Sequence, residues 1–497
     1  MDNTVRIPEL VASIVNGEAV GGDGHKLPVR YPGDGSQVSE LVEADAAEVD
    51  LAVAAARRAF DNGPWPRMGV AKRQEVLHQI RDIIRRHADE LAYLECLNTG
   101  VTLKSLRGFH VGRAAYNFEF FAEYISQSSG QVYTQTDGFQ SIVTREPVGV
   151  AGLIAPWNAP LALATMKVAA AIAFGNSCVL KPSELTPLGL ARFVELLRET
   201  DLPPGVVNLV NGRGPETGNA LVSHPDVDLV SFTGGTETGR HIMAKAGKRL
   251  CPVTMELGGK AANIIFESAD LDRALDGALI GIYANNGQQC LAGSRILLER
   301  PVAETFLERF RERSERIRVG DPMAEDTEIG PLISEPHLNR VLSYVGIAEA
   351  QGARVLTGGK RLPNAGKGYY MAPTAVVSNN NHDRVCQEEI FGPFATFLVF
   401  DTADEAIAIA NGTSFGLTSY LWSDDLPTVM RVSGELRSGV VWVNTPMTRE
   451  LRAPFGGYKN SGVGREGGGV CEHFYTEEKT TTIPLKPHPL LKFGGEG

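Results

Sequence analysis

The stretch VGVAGLIAP at residues 148–156 begins the pattern that decides the fold, because it is a short apolar run that ends at a proline. Three similar runs follow it, each ended by Pro, Asn or Gly: NSCVLKPSE (176–184), GVVNLVNG (205–212) and LVSFTGG (229–235). Buried parallel strands that alternate with helices have this signature. The pattern therefore predicts a parallel α/β sheet whose ligand sites lie just after the ends of its strands.

A second α/β series lies further along the chain. It consists of predicted helices at 270–284, 301–317 and 335–351 and predicted strands at SRILLE (294–299), ARVLTGG (353–359) and PFATFLVF (393–400). Apolar residues at three- and four-residue spacing predict helices over 44–95 and 103–125. Residues 126–142 are polar, with a strand expected at 132–134. We expect this segment to project, and the Thr-rich tail at 476–484 to be an edge strand that pairs with another subunit.

Composition and charge exclude several classes of protein. The chain has 497 residues, of which 43% are hydrophobic and 22% charged, so it can bury several cores and is not disordered. Its net charge of −11 argues against nucleic acid and anionic membranes as partners. The first residues, MDNTVRIPELVASIVNGEAV, do not resemble a secretory signal, so we expect a cytoplasmic protein. Residues 148–166 carry no charge, but their prolines favour a buried strand–loop–helix over a membrane span.

One of the six cysteines lies in an unusual setting. The cysteines lack metal-ligand spacing, which predicts reduced thiols and no metal site. Cys290, however, lies in the polar, glycine-flanked stretch NNGQQCLAGSR (285–295), between a predicted helix and a predicted strand. Backbone N–H groups and a nearby positive charge would favour a thiolate there, which makes Cys290 a candidate nucleophile. The alternative is a buried loop cysteine.

Two further segments offer partners for such a nucleophile. Glu256 in MELGGK (255–260) is a carboxylate beside glycines that could activate a water molecule. Asn158 in APWNAP (155–160) follows a predicted strand and could donate to an oxyanion. Taken singly, these residues are equally compatible with a capping glutamate and an ordinary loop asparagine. A cysteine hydrolase would need an imidazole, and no histidine lies in these motifs; a non-catalytic binding protein is the other alternative.

Taken in order, the three segments resemble the aldehyde dehydrogenase superfamily, and the resemblance covers nearly the whole chain. KPSE (181–184), FTGGTETG (232–239), EEIFGP (388–393) and PFGGYK (454–459) also match it. The resemblance implies an α/β fold with a Rossmann-like cofactor domain, an α/β catalytic domain and a small β oligomerisation bridge. We expect the cofactor domain at 1–125 and 143–257, the catalytic domain at 258–460, and the bridge and tail at 126–142 and 461–497. It also implies a homodimer or homotetramer.

The resemblance assigns a reaction to these residues. Cys290 would attack an aldehyde to give a thiohemiacetal, whose oxyanion is held by the Asn158 amide and the Cys290 N–H. Hydride transfer to a nicotinamide would leave a thioester, and Glu256 would deprotonate the water that hydrolyses it. A water-activating Glu256 favours release of a free acid over transfer of the acyl group to coenzyme A or phosphate.

The cofactor residues follow in the same way. FTGG ends a predicted strand and opens a helix, so its N–H groups can meet a pyrophosphate. Lys181 and Glu184 suit the adenosine ribose, and the Glu184 carboxylate would repel a 2′-phosphate, which favours NAD while leaving NADP open. Glu389 and Phe391 are implied to lie against the nicotinamide ribose and ring. The full predicted set is Ile154, Ala155, Pro156, Trp157, Lys181, Ser183, Glu184, Gly214, Phe232, Gly234, Gly235, Thr238, Leu257, Glu389 and Phe391.

Two arginines are candidates for substrate binding. Arg113 interrupts a mostly apolar helix, and Arg452 precedes PFGG; each could hold a carboxylate by bidentate contacts. Their contexts, RAAYNFEFF (113–121) and NTPMTRELR (444–452), resemble the 2-hydroxymuconic and 5-carboxymethyl-2-hydroxymuconic semialdehyde dehydrogenase branch, which oxidises acidic semialdehydes from catechol ring cleavage.

Several alternatives for these arginines stay open. Arg449 competes with Arg452 for the same role. Arg113 could instead be a helix-surface or subunit-contact residue, and Arg452 could pair with Glu450. Neutral aromatic, aliphatic or betaine-type aldehydes are the alternative substrates.

Overall fold

A computed structural model describes residues 5–22 and 24–495 of the chain. Its strands are β1 (Leu10–Val11), β2 (Ser13–Val15), β3 (Glu18–Val20), β4 (Lys26–Arg30), β5 (Gln37–Val42), β6 (Gln131–Tyr133), β7 (Phe139–Pro147), β8 (Val150–Ile154), β9 (Ser177–Lys181), β10 (Val207–Leu209), β11 (Leu229–Thr233), β12 (Val253–Glu256), β13 (Ala262–Ile265), β14 (Arg295–Glu299), β15 (Arg354–Thr357), β16 (Thr374–Val377), β17 (Phe394–Phe400), β18 (Thr418–Trp422), β19 (Val440–Val443), β20 (Gly462–Val463) and β21 (Thr476–Pro484).

The α-helices are α1 (Ala46–Asp61), α2 (Val70–Arg86), α3 (Ala88–Thr99), α4 (Leu103–Ser105), α5 (Val111–Tyr124), α6 (Pro160–Ala173), α7 (Leu188–Leu196), α8 (Asn219–Ser223), α9 (Thr236–Gly247), α10 (Leu271–Tyr283), α11 (Arg300–Glu315), α12 (Glu335–Ala350), α13 (Arg384–Gln387), α14 (Ala403–Asn411), α15 (Leu426–Glu435) and α16 (Gly468–Tyr475). The single helix expected over 103–125 consists of α4, a wider π-helical turn at Leu106–His110, and α5.

The four apolar runs of the first series form the centre of an eight-stranded sheet. Its order is β20-β12-β11-β8-β9-β10-β2-β3, and the five strands from β12 to β10 are parallel. Nearly every residue of these strands is buried, because helices cover both faces of the sheet. The antiparallel hairpin β2–β3 extends one edge, although the sequence patterns above did not indicate strands before residue 44.

The second series forms a seven-stranded sheet of order β15-β16-β17-β14-β13-β18-β19. All of its neighbouring strands are parallel except the edge pair β15–β16. A small sheet, β1-β5-β4, lies near the amino terminus. The predicted α/β architecture is therefore present, with two large sheets.

A second small sheet joins β21, β7 and β6, all antiparallel. The predicted tail strand is present as β21, and it pairs along its whole length with β7 of the same chain while remaining an edge strand. The expected domain boundary at 142/143 falls inside β7, and β20 of the expected tail pairs with β12 of the first large sheet. The domain division stays a prediction.

The chain order of these elements brings the predicted motifs together. β12 ends at Glu256, β8 leads through residues 155–159 into α6, and the Cys290 segment lies between α10 and β14. Residues 148–166, which are uncharged, form β8, a loop and the first half of the buried helix α6. Among the described residues, no helix is both long and apolar enough to cross a membrane.

Candidate active site

The segment before Cys290 turns sharply and is held by side-chain amides. Asn285, Asn286 and Gly287 have φ values of 55°, 57° and 70°, a left-handed run that only Gly and Asn adopt at small cost. The Asn286 amide donates to the carbonyls of Gly100 and Pro331, both at 2.9 Å, and its oxygen accepts the Gly330 N–H at 2.8 Å. This buried network fixes the path of the chain into Cys290.

Asn158 is tied to the same loop. Its Nδ2 donates to the Gln288 carbonyl at 2.9 Å, and its own carbonyl accepts Nδ2 of Asn285 at 2.9 Å. One Nδ2–H of Asn158 is engaged in this way, and the second is left for another acceptor. The structure therefore brings Asn158 and the Cys290 loop together, as an oxyanion site would require.

The surroundings of the half-buried Cys290 disfavour ionisation of its thiol. Burial raises its pKa to about 12, and the nearby carboxylates of Glu389 and Glu256 raise it further, against the opposing effects of its own N–H and of Arg449. The thiolate that the loop was expected to favour is thus disfavoured by these surroundings, because desolvation outweighs the local N–H. Formation of the thiolate needs a base or an added positive charge.

Glu256 supplies a candidate base at the end of β12. Its side chain is buried, and neither carboxylate oxygen has a hydrogen-bond partner in the structure. Burial and the neighbouring Glu466 raise the pKa of Glu256, while Lys167, Arg449 and Arg465 oppose the shift. Gly456 leaves room for it, since a Cβ at that position would lie 2.7 Å from Oε1. An unpaired carboxylate with a raised pKa is a stronger base than an ordinary one.

Behind Glu256 lies a buried ion pair that was not expected. Lys167 Nζ is 2.7 Å from Glu466 Oε1 and also donates to Ser231 Oγ at 3.0 Å. Lys167 lies among alanines in the buried helix α6. A lysine in such an apolar stretch is the sequence signal that could have predicted a buried ion pair. No comparable pattern surrounds Glu466 in the sequence.

A cavity of about 750 Å³ opens from Cys290, Glu256 and Asn158. Predicted cofactor residues line it: Pro156, Trp157, Gly234, Gly235, Thr238, Leu257, Glu389 and Phe391. Gly235 precedes the first turn of α9, and no side chain caps the free N–H groups there. Glu389 accepts the Gly259 N–H at 2.9 Å, and burial raises its pKa to about 7. The cavity thus offers a positive helix end and a carboxylate to one ligand.

His337 and Arg340 also line this cavity, and they were not in the predicted set. The His337 ring contacts the Trp157 ring with centroids 5.5 Å apart, and its Nε2 lies 2.7 Å from the Phe391 carbonyl. Phe391 itself has a φ of 63°. His337 therefore supports the turn that presents Phe391. His337 lies in α12 and Phe391 in the EEIFGP loop, and these segments are far apart in sequence.

The remaining predicted cofactor residues lie beside the cavity rather than in its wall. Ile154, Lys181 and Phe232 are in register at the ends of β8, β9 and β11. Lys181 is buried, donates to the Pro182 carbonyl at 2.7 Å, and lies 4.0 Å from Glu184. Ala155 and Ser183 occupy the loops that follow β8 and β9, and Gly214 begins a π-helical turn (Gly214–Gly218) after β10. This edge of the sheet adjoins the FTGG turn.

The three arginines differ in their surroundings. Arg449 is largely shielded, stacks on the Phe455 ring at 3.9 Å, and has no partner for Nε or Nη2. Burial lowers the pKa of Arg113 to about 10, the nearby charge of Arg449 lowers it further, and Glu466 opposes the shift. Arg452 is exposed and makes a bidentate pair with Glu450 at 2.9 and 3.0 Å. The structure thus places Arg113 and Arg449 in the same charge cluster and Arg452 on the surface.

Comparison with known proteins decides the family. The model of the aldehyde dehydrogenase family matches residues 20–481. The chain belongs to the aldehyde dehydrogenase family. The resemblance and the fold predicted from the sequence are thereby confirmed, as is the general class of enzyme.

Relatives of this aldehyde dehydrogenase are named for different substrates. It is 41% identical to the 5-carboxymethyl-2-hydroxymuconate semialdehyde dehydrogenase of Escherichia coli, over 92% of this chain and 97% of that protein. It is 39% identical to the betaine aldehyde dehydrogenase of Bacillus subtilis, over 95% and 97%. A solved NAD+ complex of the aldehyde dehydrogenase from Bacillus cereus superposes with a TM-score of 0.94 at 39% identity, over 96% and 97%. These identities are too similar to choose a substrate.

Proposed function

We propose that this protein oxidises an acidic semialdehyde to a free dicarboxylic acid with NAD, on the type of substrate that ring cleavage of catechols produces. The observation that carries the proposal is the pair Arg113 and Arg449, which lies in the charge cluster of Glu256 and Glu466. Among the described residues neither arginine has a carboxylate within ion-pair distance. Buried cations usually have a partner, so the missing anion is expected to come from the substrate.

The cofactor cavity fits a dinucleotide. The uncapped start of α9 would hold the pyrophosphate, Glu389 the ribose hydroxyls, and Phe391 with Trp157 the nicotinamide end. Bound there, NAD supplies the hydride acceptor for the oxidation. Glu184, beside Lys181 at the end of β9, would repel a 2′-phosphate, which supports NAD over NADP.

The protein residues divide the reaction into two stages. Cys290 attacks the aldehyde carbon, its thiol proton passes to a base, and the second Nδ2–H of Asn158 with the Cys290 N–H stabilises the oxyanion. Because burial raises the pKa of the thiol, this first step depends on the positive charge that bound NAD would add, with water as the base, and the unpaired Glu256 carboxylate is kept for the second stage. After oxidation the acyl group remains on sulfur as a thioester.

Release of a free acid follows from the same carboxyl. Glu256 takes a proton from water, the resulting hydroxide attacks the thioester carbon, and the Cys290 sulfur leaves. The absence of any hydrogen bond to Glu256 leaves both its oxygens free for that water. Lys167 and Glu466 lie behind it and keep the charge of this corner balanced.

One of the relatives named above supports an acidic substrate, and the betaine aldehyde dehydrogenase does not. The similarity to a 5-carboxymethyl-2-hydroxymuconate semialdehyde dehydrogenase supports a substrate with distal carboxylates, and the arginine pair gives that similarity a physical basis. Arg449 takes the role that was expected of Arg452, since Arg452 is already bound to Glu450 on the surface.

We also propose a homodimer or homotetramer. The three-stranded sheet leaves β21 as an unpaired edge, and Val132, Tyr133 and Ile483 on its strands are apolar and exposed. An exposed edge with apolar residues is a surface that a second subunit would cover. Size-exclusion chromatography with light scattering tests this, and a monomer at micromolar concentration would contradict it.

The experiment for the main proposal is an assay of NADH formation with NAD or NADP and a panel of aldehydes. The panel contains hydroxymuconic-type, succinic, aromatic, aliphatic and betaine aldehydes, and Cys290→Ala serves as the inactive control. We expect the acidic semialdehydes to have the highest kcat/KM with NAD. If neutral aldehydes lead, the enzyme class stands and the acidic substrate is wrong.

A further inference from the structure

Asn117 lies one helical turn after Arg113 on α5 and is completely buried. Its Nδ2 donates to the Ala162 carbonyl and to Thr165 Oγ1, both at 3.0 Å, so both of its N–H groups are engaged by α6. Its Oδ1 accepts Nε of Arg113 at 2.9 Å. Because the donors of the amide are fixed by α6, only its oxygen can face Arg113.

This contact determines how Arg113 can bind an anion. Nε is engaged by Asn117, so the two terminal Nη groups are the donors that remain for a ligand. Arg449 and Glu466 are the charged groups that act on Arg113, together with the Tyr116 hydroxyl, and none of them forms an ion pair with it. A guanidinium held at Nε presents the flat, two-pronged edge that matches a carboxylate.

We propose that Asn117 is a specificity-determining positioning residue, which holds Arg113 so that its terminal donors bind the distal carboxylate of the substrate. This inference rests on the proposed function and adds the residue that orients one of its two arginines. Asn117 does not touch the substrate; it acts through Arg113.

The neutrality of Asn117 is as important as its position. An aspartate there could also accept from Arg113, but it would pair with the guanidinium and cancel the charge that the substrate needs. It would also present a carboxylate to the Ala162 carbonyl in place of a donor. Asparagine is the residue of this size that joins α5 to α6 and leaves the arginine its full charge.

The test compares adipic semialdehyde with hexanal, which have equal chain lengths and differ by one terminal carboxylate. We expect Asn117→Asp to lower kcat/KM for adipic semialdehyde by roughly tenfold to a hundredfold, mainly through KM, as for loss of one hydrogen bond to a charged group. Hexanal should change by less than about threefold. Thr165→Val, which removes one partner of the Asn117 amide on the α6 side, is the matched control. It should keep the ratio of kcat/KM for adipic semialdehyde to kcat/KM for hexanal.

Arg113→Gln separates the two proposals. If it leaves the ratio unchanged, Arg113 does not bind the carboxylate and the proposed substrate role fails. If it lowers the ratio while Asn117→Asp lowers both substrates equally or neither, the inference about Asn117 is overturned and the proposed function stands. The double variant should lose no more than Arg113→Gln alone, because Asn117 acts through that arginine.

Thermal melting confirms that each variant is folded. Asn117→Ser is the second variant if Asn117→Asp does not fold, since a serine is too short to reach Arg113. It should reduce the ratio in the same direction, and a ratio equal to that of the unmodified enzyme would overturn the inference.

Discussion

The two ends of the active site are built in different ways. At the reacting end, Cys290 and Asn158 are held by main-chain geometry and buried amides: a left-handed run before the cysteine, and hydrogen bonds that join the two loops. At the far end, where we propose that the substrate carboxylate binds, the charges of Arg113 and Arg449 come from single side chains on two separate elements. The first arrangement tolerates little variation, whereas the second can change with one substitution. The chemistry and the choice of substrate should therefore be separable by mutation.

The largest expected effect is at the reacting end. Glu256→Gln should keep the first burst of NADH but lower steady-state turnover by roughly 10²–10⁴-fold, because the amide cannot take a proton from water. Rapid-mixing kinetics with NAD measures both phases. Cys290→Ala, which should lose both, is the control. Loss of burst and turnover together in Glu256→Gln would contradict a role for Glu256 that is confined to hydrolysis of the thioester.

The pH dependence of turnover sharpens the same point. The active form of Glu256 is the carboxylate, and burial raises its pKa, so turnover should fall as the pH drops through that raised pKa. Glu256→Gln should remove this dependence. If turnover of the variant still falls as the pH drops, the pH dependence belongs to another group.

The next effect concerns the oxyanion. Asn158→Ala should lower kcat by about 10²–10³-fold for acidic and neutral aldehydes alike, since the oxyanion is common to both. Asn285→Ala removes the amide that donates to the main-chain carbonyl of Asn158, so it should also lower kcat, but by less. Stopped-flow measurement of the burst rate on adipic semialdehyde and hexanal tests this. A burst rate that falls with only one of the two substrates would contradict the separation of the chemistry from the choice of substrate.

At the far end, two nearby arginines provide a matched pair. Arg449→Gln should reduce kcat/KM for adipic semialdehyde by about tenfold or more, because a buried donor without a partner is removed, and should reduce kcat/KM for hexanal by less, because the effect of Arg449 on the pKa values of Cys290 and Glu256 is shared by both substrates. Arg452→Gln should be silent, since its bidentate pair with Glu450 is exposed. Steady-state kinetics on both substrates decides between them, and the reverse result would restore Arg452 as the substrate residue.

The contrast between the two ends also explains what the sequence could predict. The reacting end depends on contiguous motifs, so APWNAP, MELGGK and NNGQQC indicated Asn158, Glu256 and Cys290 directly, and the parallel strands indicated where those motifs would meet. The choice between Arg449 and Arg452 could not be made, because both lie in one loop and only packing shows which is exposed. Lys167 with Glu466, and Asn117 with Arg113, are contacts between distant elements that no local pattern marks.

The smallest expected effect lies beneath the reacting end, at Glu95. This residue of α3 is fully buried, and its Oε2 accepts the Leu161 N–H at 3.1 Å, in the first turn of the helix that follows Asn158. Its Oε1 has no partner and fits beside Gly189, where a Cβ would lie 2.4 Å away. Burial raises its pKa from 4.5 to about 8, while the Leu161 N–H opposes the shift.

A carboxyl whose pKa is raised on folding destabilises the protein progressively as pH rises. Below about pH 4.5 both states are protonated; between 4.5 and about 8 the unfolded state loses its proton first, so stability falls; above that range the cost is constant. Glu95→Gln removes this pH-dependent loss of stability, while the side-chain carbonyl of the glutamine can still accept the Leu161 N–H. The melting temperature of Glu95→Gln minus that of the unmodified enzyme should therefore increase by a few degrees between pH 5 and pH 8.5. This corresponds to a difference in the free energy of unfolding on the order of 1 kcal/mol or more.

Glu90 on the same helix provides the opposite control. Although burial raises its pKa, hydrogen bonds from Arg192 and His87 lower it overall, so Glu90→Gln should lose stability at neutral pH and recover as the pH falls through the lowered pKa. Melting temperatures at one scan rate, with the range extended below pH 4.5, compare the two variants: the Glu90→Gln difference should stay constant between pH 5 and pH 8.5, where Glu90 is ionised in both states, and shrink below about pH 4.5. Neither should alter the ratio of kcat/KM for adipic semialdehyde to kcat/KM for hexanal, because among the described residues the partners of Glu95 and Glu90 do not include Arg113 or Arg449. Equal pH slopes in the two variants would contradict the burial of an unbalanced carboxyl beneath Asn158.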